Sequence, residues 1–218
     1  MHPRTLLLTL VLAAAAVHGA PADDALKQGQ ALFRDGKLHE AAEALEKATE
    51  LAPGNAEAHH LLGATYGRQA EAASMFGKMR LAGRIKDEFE RAVALAPETV
   101  DYRESLLTFY LAAPAVAGGG IDKAKVQATE IAKRDPVRGE LAWASIAMAE
   151  DKPDEALGAW YQLGRTAVLS GTHLAEGEAA LKRYLAGTPG AQDPPLAAAH
   201  WRLDPAHAES RAALEKLK

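Results

Sequence analysis

Between Asp24 and Pro53, small and apolar residues recur at helical spacing on two segments separated by a turn. Gly29 and Leu32 fall on a first helix, Gly36-Lys37-Leu38 makes the turn, and Ala41, Leu45 and Ala48 fall on a second helix. Gly29 and Ala41 are small where the helices cross, because a larger side chain would push them apart. Leu32 and Leu45 fill the space between the two helices. Leu51-Ala52-Pro53 closes the second helix, since proline lacks an N–H and clashes with the turn before it. This pattern predicts a helix–turn–helix.

The same phrase restarts after Pro53. His59-x-x-Leu62-Gly63-x-x-Tyr66 repeats the first helix, and Phe89-x-x-Ala92 with Ala94-Leu95-Ala96-Pro97 repeats the end of the second. A third unit offers Leu106, Leu107 and Tyr110, then Ala124, and ends at Lys133-Arg134-Asp135-Pro136. Further on come Trp160-x-x-Leu163-Gly164, a turn at Gly171, and Leu181 and Tyr184 on a partner helix. An internal period of this kind marks a repeat architecture, in which each unit buries its apolar face against its neighbours.

These residues resemble the tetratricopeptide repeat, a helix-hairpin unit with Trp, Leu-Gly, Tyr, Ala, Phe, Ala and Pro at fixed offsets. The first unit matches nearly throughout, and the second matches at both ends. The resemblance implies an all-α, right-handed α-solenoid of helix hairpins, with a concave groove lined by the first helix of each pair. Three departures stand out. The second unit is enlarged by Ala73 to Gly83, read either as an overrun of its first helix or as a short extra helix. Ala112 to Gly120 carries a proline and three glycines that forbid a regular helix, after which Asp122 is expected to start and cap the next one. The C-terminal end is irregular. Asp154-Glu155-Ala156-Leu157 reads as a second helix, yet Trp160-x-x-Leu163-Gly164 already reads as the first helix of another unit. Likewise His200-Trp201-Arg202-Leu203 runs straight into Asp204-Pro205. One or two helices of an ancestral array read as lost, with residues 206–217 as a cap.

Composition adds an address. Arg4 precedes an apolar stretch from Leu6 to Val17 broken only by Thr9, and Ala20-Pro21-Ala22 gives the small-x-small pattern of a signal-peptidase site. The domain reading is therefore a signal peptide at 1–22, a repeat array at 23–186, and a linker with C-terminal capping helices at 187–218. The expected location is exported, periplasmic or secreted, with no stable membrane insertion after cleavage. Phe109-Tyr110-Leu111, Ala113-Pro114 and Gly118-Gly119 are also similar to a subgroup of exported bacterial tetratricopeptide proteins, a likeness that adds fold and location but no activity. The chain has no Cys, which excludes disulfides and a lipidated cysteine. Its net charge of −4 argues against nucleic acid as a partner.

Chemistry is sparse. No phosphate-binding loop follows a strand, and Gly118-Gly119-Gly120 reads as a turn insert. His59 and His60 are adjacent and so face different sides of a helix, without the i, i+3 or i+4 spacing of a metal pair. Asp87, Glu88 and Glu90 share a helix with Lys86 and Arg91 and read as an ordinary solvated face. No catalytic, metal or cofactor residue is assigned. Carried over from the resemblance, the groove positions are Phe33 and Arg34, then His60, Ala64 and Arg68, then Glu104 and Thr108, and finally Tyr161 and Arg165. Arg34, Arg68 and Arg165 would pair with carboxylates of an extended partner, and Phe33 and Tyr161 would pack its side chains. The expected function is an exported scaffold or adaptor for a protein or peptide partner, without catalysis. The alternatives are a self-associating structural repeat protein and, with less support, a metal-dependent hydrolase using His59, His60 and nearby acids.

Overall fold

The computed structural model describes residues 21–188 together with Pro194 and Ala199. All regular structure among the described residues is helical. The contacts divide the chain into two compact units, one running to Phe109 and including 113–118, the other comprising 110–112 and the residues from Gly119 onward.

The first unit begins with the helical residues 21–34 (α1). It continues through α2 (Leu38–Leu51), α3 (Ala56–Glu71) and α4 (Met75–Leu95) into α5 (Val100–Ala112), whose residues up to Phe109 belong to this unit. Two hairpins are built on one kind of contact. A methyl group placed on Gly29 would stand 2.5 Å from Leu45 Cγ, and one placed on Gly63 would stand 2.7 Å from the ring of Phe89. The glycines are required because a large side chain of the facing helix already occupies their space. Leu45 and Phe89 are buried with Ala41, Ala48, Leu62, Tyr66 and Ala92, while Leu32 is half-buried. Gly36 turns the first hairpin with φ +75°, a conformation side chains disfavour. Asn55 caps α3 by accepting a hydrogen bond from the Ala58 N–H.

The enlargement of the second unit is neither an overrun of α3 nor a separate helix. α3 ends at Glu71, and the added residues lengthen α4 at its N-terminus to 21 residues, against 14 in α2. Ser74 sets the new start by accepting a hydrogen bond from the Gly77 N–H. A 3-10 turn, Ala115–Ala117, follows in the glycine-rich stretch and ends at Gly118 with φ +93°.

The second unit holds α6 (Ile121–Arg134), α7 (Pro136–Ala149), α8 (Pro153–Ser170) and α9 (Leu174–Ala186). Asp122 does not cap α6. Gly120 occupies the cap position, and Asp122 sits in the first turn, where its charge still suits the helix dipole. Asp135 caps α7 through the Arg138 N–H, and Pro136 stands at the first helical position. Both of the competing signatures in the C-terminal third, Asp154 to Leu157 and Trp160 to Gly164, lie on α8, one continuous helix of 18 residues. α8 pairs with α9 through the same device as the first hairpins, since a methyl on Gly164 would stand 2.2 Å from Leu181 Cγ. Gly177 on α9 meets Ala167 in return, and Gly171 turns the pair with φ +69°. Residues 1–20, which hold most of the expected signal peptide, and the expected cap at 206–217 lie outside the described residues.

Candidate functional site

α1 and α3 of the first unit bring together most of the residues expected to line a groove. Phe33 and Arg34 end α1, and Glu57, His60, Leu61, Ala64 and Arg68 form one stripe along α3, since residues three and four apart share a helix face. At 1.5 Å per residue the stripe from Glu57 to Arg68 runs about 16 Å. Gln30, Phe33, Arg34, Glu57, His60 and Leu61 enclose a cleft of about 300 Å³. Gln30 Nε2 donates to Glu57 at 2.6 Å across its floor, which ties α1 to α3. At the far end of the stripe Arg68 donates to the Phe33 carbonyl at 3.1 Å, and its guanidinium lies 4.9 Å from the centre of the Phe33 ring. Arg34 is exposed.

His60 is a built-in part of this wall. Its ring lies 4.5 Å from Tyr102 and 5.7 Å from Phe89, centre to centre. Nε2 is 2.8 Å from Ser105 Oγ, and Ser105 Oγ donates to the Asp101 carbonyl at 3.1 Å. Burial holds the His60 pKa below its usual value, against the opposing charges of Asp101 and Glu57. Burial together with the same two carboxylates raises the pKa of Tyr102. His59 faces the other way, as its spacing predicts. Its Nδ1 is 2.6 Å from Glu88 and its Nε2 3.1 Å from the Pro53 carbonyl, so it ties α3 to α4 and to the closing turn. Glu88 is therefore half-buried and bonded, and is not part of a plain solvated face.

The remaining expected positions separate. Glu104 is half-buried and Thr108 exposed, both on α5. Tyr161 is a correction: it is only 5 % exposed, and its ring meets Tyr184 at 5.2 Å in a core that also holds Leu181 and Ala199. The Tyr184 hydroxyl donates to the Pro194 carbonyl beside it. Tyr161 therefore presents no ring to a partner, while Arg165 on the same helix is exposed. Sequence reasoning missed Gln30, Glu57 and Leu61 as lining residues and Tyr102 and Ser105 as supports for His60. The spacing held part of the signal, because Gln30 precedes Phe33 and Glu57 precedes His60 by three residues. Among the described residues no group of three or more His, Cys, Asp or Glu side chains is arranged to hold a metal ion. None of the described helices is long and apolar enough to cross a membrane.

Residues 29–69 match the family model of the TPR (tetratricopeptide) repeat. This span holds Gly29, Leu45, Leu62, Gly63 and Tyr66, the residues that build the first hairpin and open the second. Among solved structures, the chain is similar to Pseudomonas aeruginosa pilF, solved in work on its functional characterization, with a TM-score of 0.51 and 13 % identity. The alignment covers 91 % of this chain and 99 % of that one, and at this identity it speaks for a shared fold. No curated protein sequence matches.

Proposed function

We propose that this chain, a tetratricopeptide-repeat protein, is an exported adaptor that binds an extended segment of a protein partner along the α1–α3 face. The observation that carries the reading is the cleft of Gln30, Phe33, Arg34, Glu57, His60 and Leu61. It sets an aromatic ring and an exposed guanidinium beside a carboxylate, on the face that repeats of this type use for partners. The residues around it are anchored: Gln30 to Glu57, Arg68 to Phe33, and His60 to Ser105. An anchored wall loses little side-chain entropy when a partner docks. Arg34 supplies a fork for a carboxylate, and Phe33 and Leu61 supply apolar contact.

Export rests on the sequence, where Arg4, the apolar stretch Leu6 to Val17 and Ala20-Pro21-Ala22 have the order of a signal peptide. Cleavage after Ala22 would leave Asp23 and Asp24 in the first helical turn, where negative charge suits the free N–H groups. Mass spectrometry of the native protein is expected to find Asp23 as the first residue, and an intact residue 1 would reject the cleavage. For the groove, the proteins co-isolated with the native chain are compared with those from Arg34→Glu and from Glu50→Lys, a change on the exposed side of α2. Loss of one partner in Arg34→Glu alone is the expected result. Identical sets from all three chains would overturn the reading.

A further inference from the structure

The lengthened N-terminus of α4 does more than extend a helix. With the end of α3 and the start of α2, it walls a cleft of about 780 Å³. None of the residues lining the smaller α1–α3 cleft lines this second one, and of the groove stripe on α3 only its far end, Arg68, reaches it. Tyr66 lies in its wall. The Tyr66 hydroxyl donates to Glu46 at 2.6 Å, and Arg84 donates to the same carboxylate at 2.6 Å while lying 4.1 Å from the centre of the Tyr66 ring. That triad fixes one wall and neutralises Glu46. Arg68 and Arg80 also line the cleft.

Charge and apolar surface coincide here. From Met75 to Lys86 the chain has four basic residues, Lys78, Arg80, Arg84 and Lys86, and no acidic one, in a protein of net charge −4. Arg84 is paired with Glu46 and Lys86 with Asp87. Lys78 and Arg80 have no ion-pair partner among the described residues. On the first turns of the same helix, outside the lining of the cleft, Met75, Phe76 and Met79 are 73 %, 89 % and 40 % exposed. They lie within about one helical turn of one another, so they form one patch, and Phe76 and Arg80 share a face. A lone exposed apolar side chain is ordinary, but three together beside unpaired cations on a capped helix end mark a contact surface.

We propose that this cleft and its lip are a second docking surface, which takes an acidic peptide segment of a partner protein carrying an apolar side chain. Arg80, which lines the cleft, meets its carboxylate, and Phe76, one turn before Arg80 on the same side of α4, covers its apolar residue. The concavity favours a peptide over a flat lipid surface, which would touch Phe76 and leave the cleft unused. The surface shares only Arg68 with the α1–α3 groove, and Arg80 and Phe76 carry it whether or not that reading holds.

The probes are two labelled amphipathic peptides of equal length, one of Glu and Leu and one of Lys and Leu, titrated against the full chain by fluorescence anisotropy. The acidic peptide is expected to bind and to weaken as salt rises. Its affinity is expected to fall roughly tenfold in the double variant Phe76→Ser with Arg80→Glu and to stay unchanged in Glu50→Gln, an exposed position that lines neither cleft. Phe76, Arg80 and Glu50 are all exposed, so each variant keeps its circular dichroism and melting transition. Absence of binding, equal binding of the two peptides, or loss of binding in Glu50→Gln alone would overturn the proposal. So would sedimentation with vesicles of equal parts phosphatidylcholine and phosphatidylglycerol in the absence of peptide binding, which would assign the patch to a membrane.

Discussion

The hairpins α1–α2 and α3–α4 share one contact and differ at one end. In both, a glycine on the first helix receives a large side chain from the second, Leu45 in one case and Phe89 in the other. Where the second hairpin keeps the repeat, its residues are core: Leu62, Tyr66 and Ala92 are buried. Where it departs, at the start of α4, most of the added residues are surface, with Met75, Phe76 and Met79 exposed. The shared part sets the spacing of the helices, and the unshared part sets which side chains this chain adds to its surface. The α8–α9 pair repeats the lesson, since Gly164 and Leu181 keep the same contact in an otherwise irregular region.

Substitutions can break or sharpen this comparison. Phe89→Ala empties the space under Gly63 and is expected to cost about 3–5 kcal/mol in urea unfolding. Leu45→Ala does the same to the first hairpin, at about 2–5 kcal/mol. Adding a methyl has a position-dependent sign on α3. Gly63→Ala drives its methyl into the Phe89 ring and is expected to cost about 1–3 kcal/mol. Gly67→Ala, four residues on, meets nothing within 4 Å and is expected to stabilise by about 0.5–1 kcal/mol through helix propensity. Equal effects at the two positions would sink the claim that the glycine contact builds the hairpin.

The smallest effect is a pH dependence at the groove. The native pKa of His60 is held below its usual 6.5, so the unfolded chain binds this proton more readily. The contribution is full above pH 6.5 and is lost as pH falls below it. Melting temperature is expected to drop over that range, and to drop less in His60→Gln. A His60→Gln variant with the same slope as the native chain would show that His60 is not the group responsible.

The hairpin contacts were legible in the sequence because they follow from spacing within one helix pair. Gly29, Leu45, Gly63, Tyr66 and Phe89 need no knowledge of the rest of the chain. The direction of the α4 extension was not legible from apolar periodicity, which continues through Met75, Met79 and Leu81 whichever helix owns them. The deciding signal was Ser74, a residue that caps a helix start. Tyr161 was misplaced for a different reason. Its position after Trp160 puts it on a groove face only when nothing covers that face, and here Tyr184 and Ala199 do. Glu88 and Ser105 escaped because their partners, His59 and His60, lie 29 and 45 residues away. Such long-range pairs leave no local pattern.

The most direct test places a photo-crosslinking side chain at Arg34, Phe76 or Glu50 of the chain in its native cells, one position at a time. The expected result is a discrete adduct from Arg34, none from Glu50, and from Phe76 an adduct whose cross-linked segment is acidic. Adducts from Glu50 equal to those from Arg34, or none from Arg34, would contradict the claim that the α1–α3 face is where this protein meets its partner.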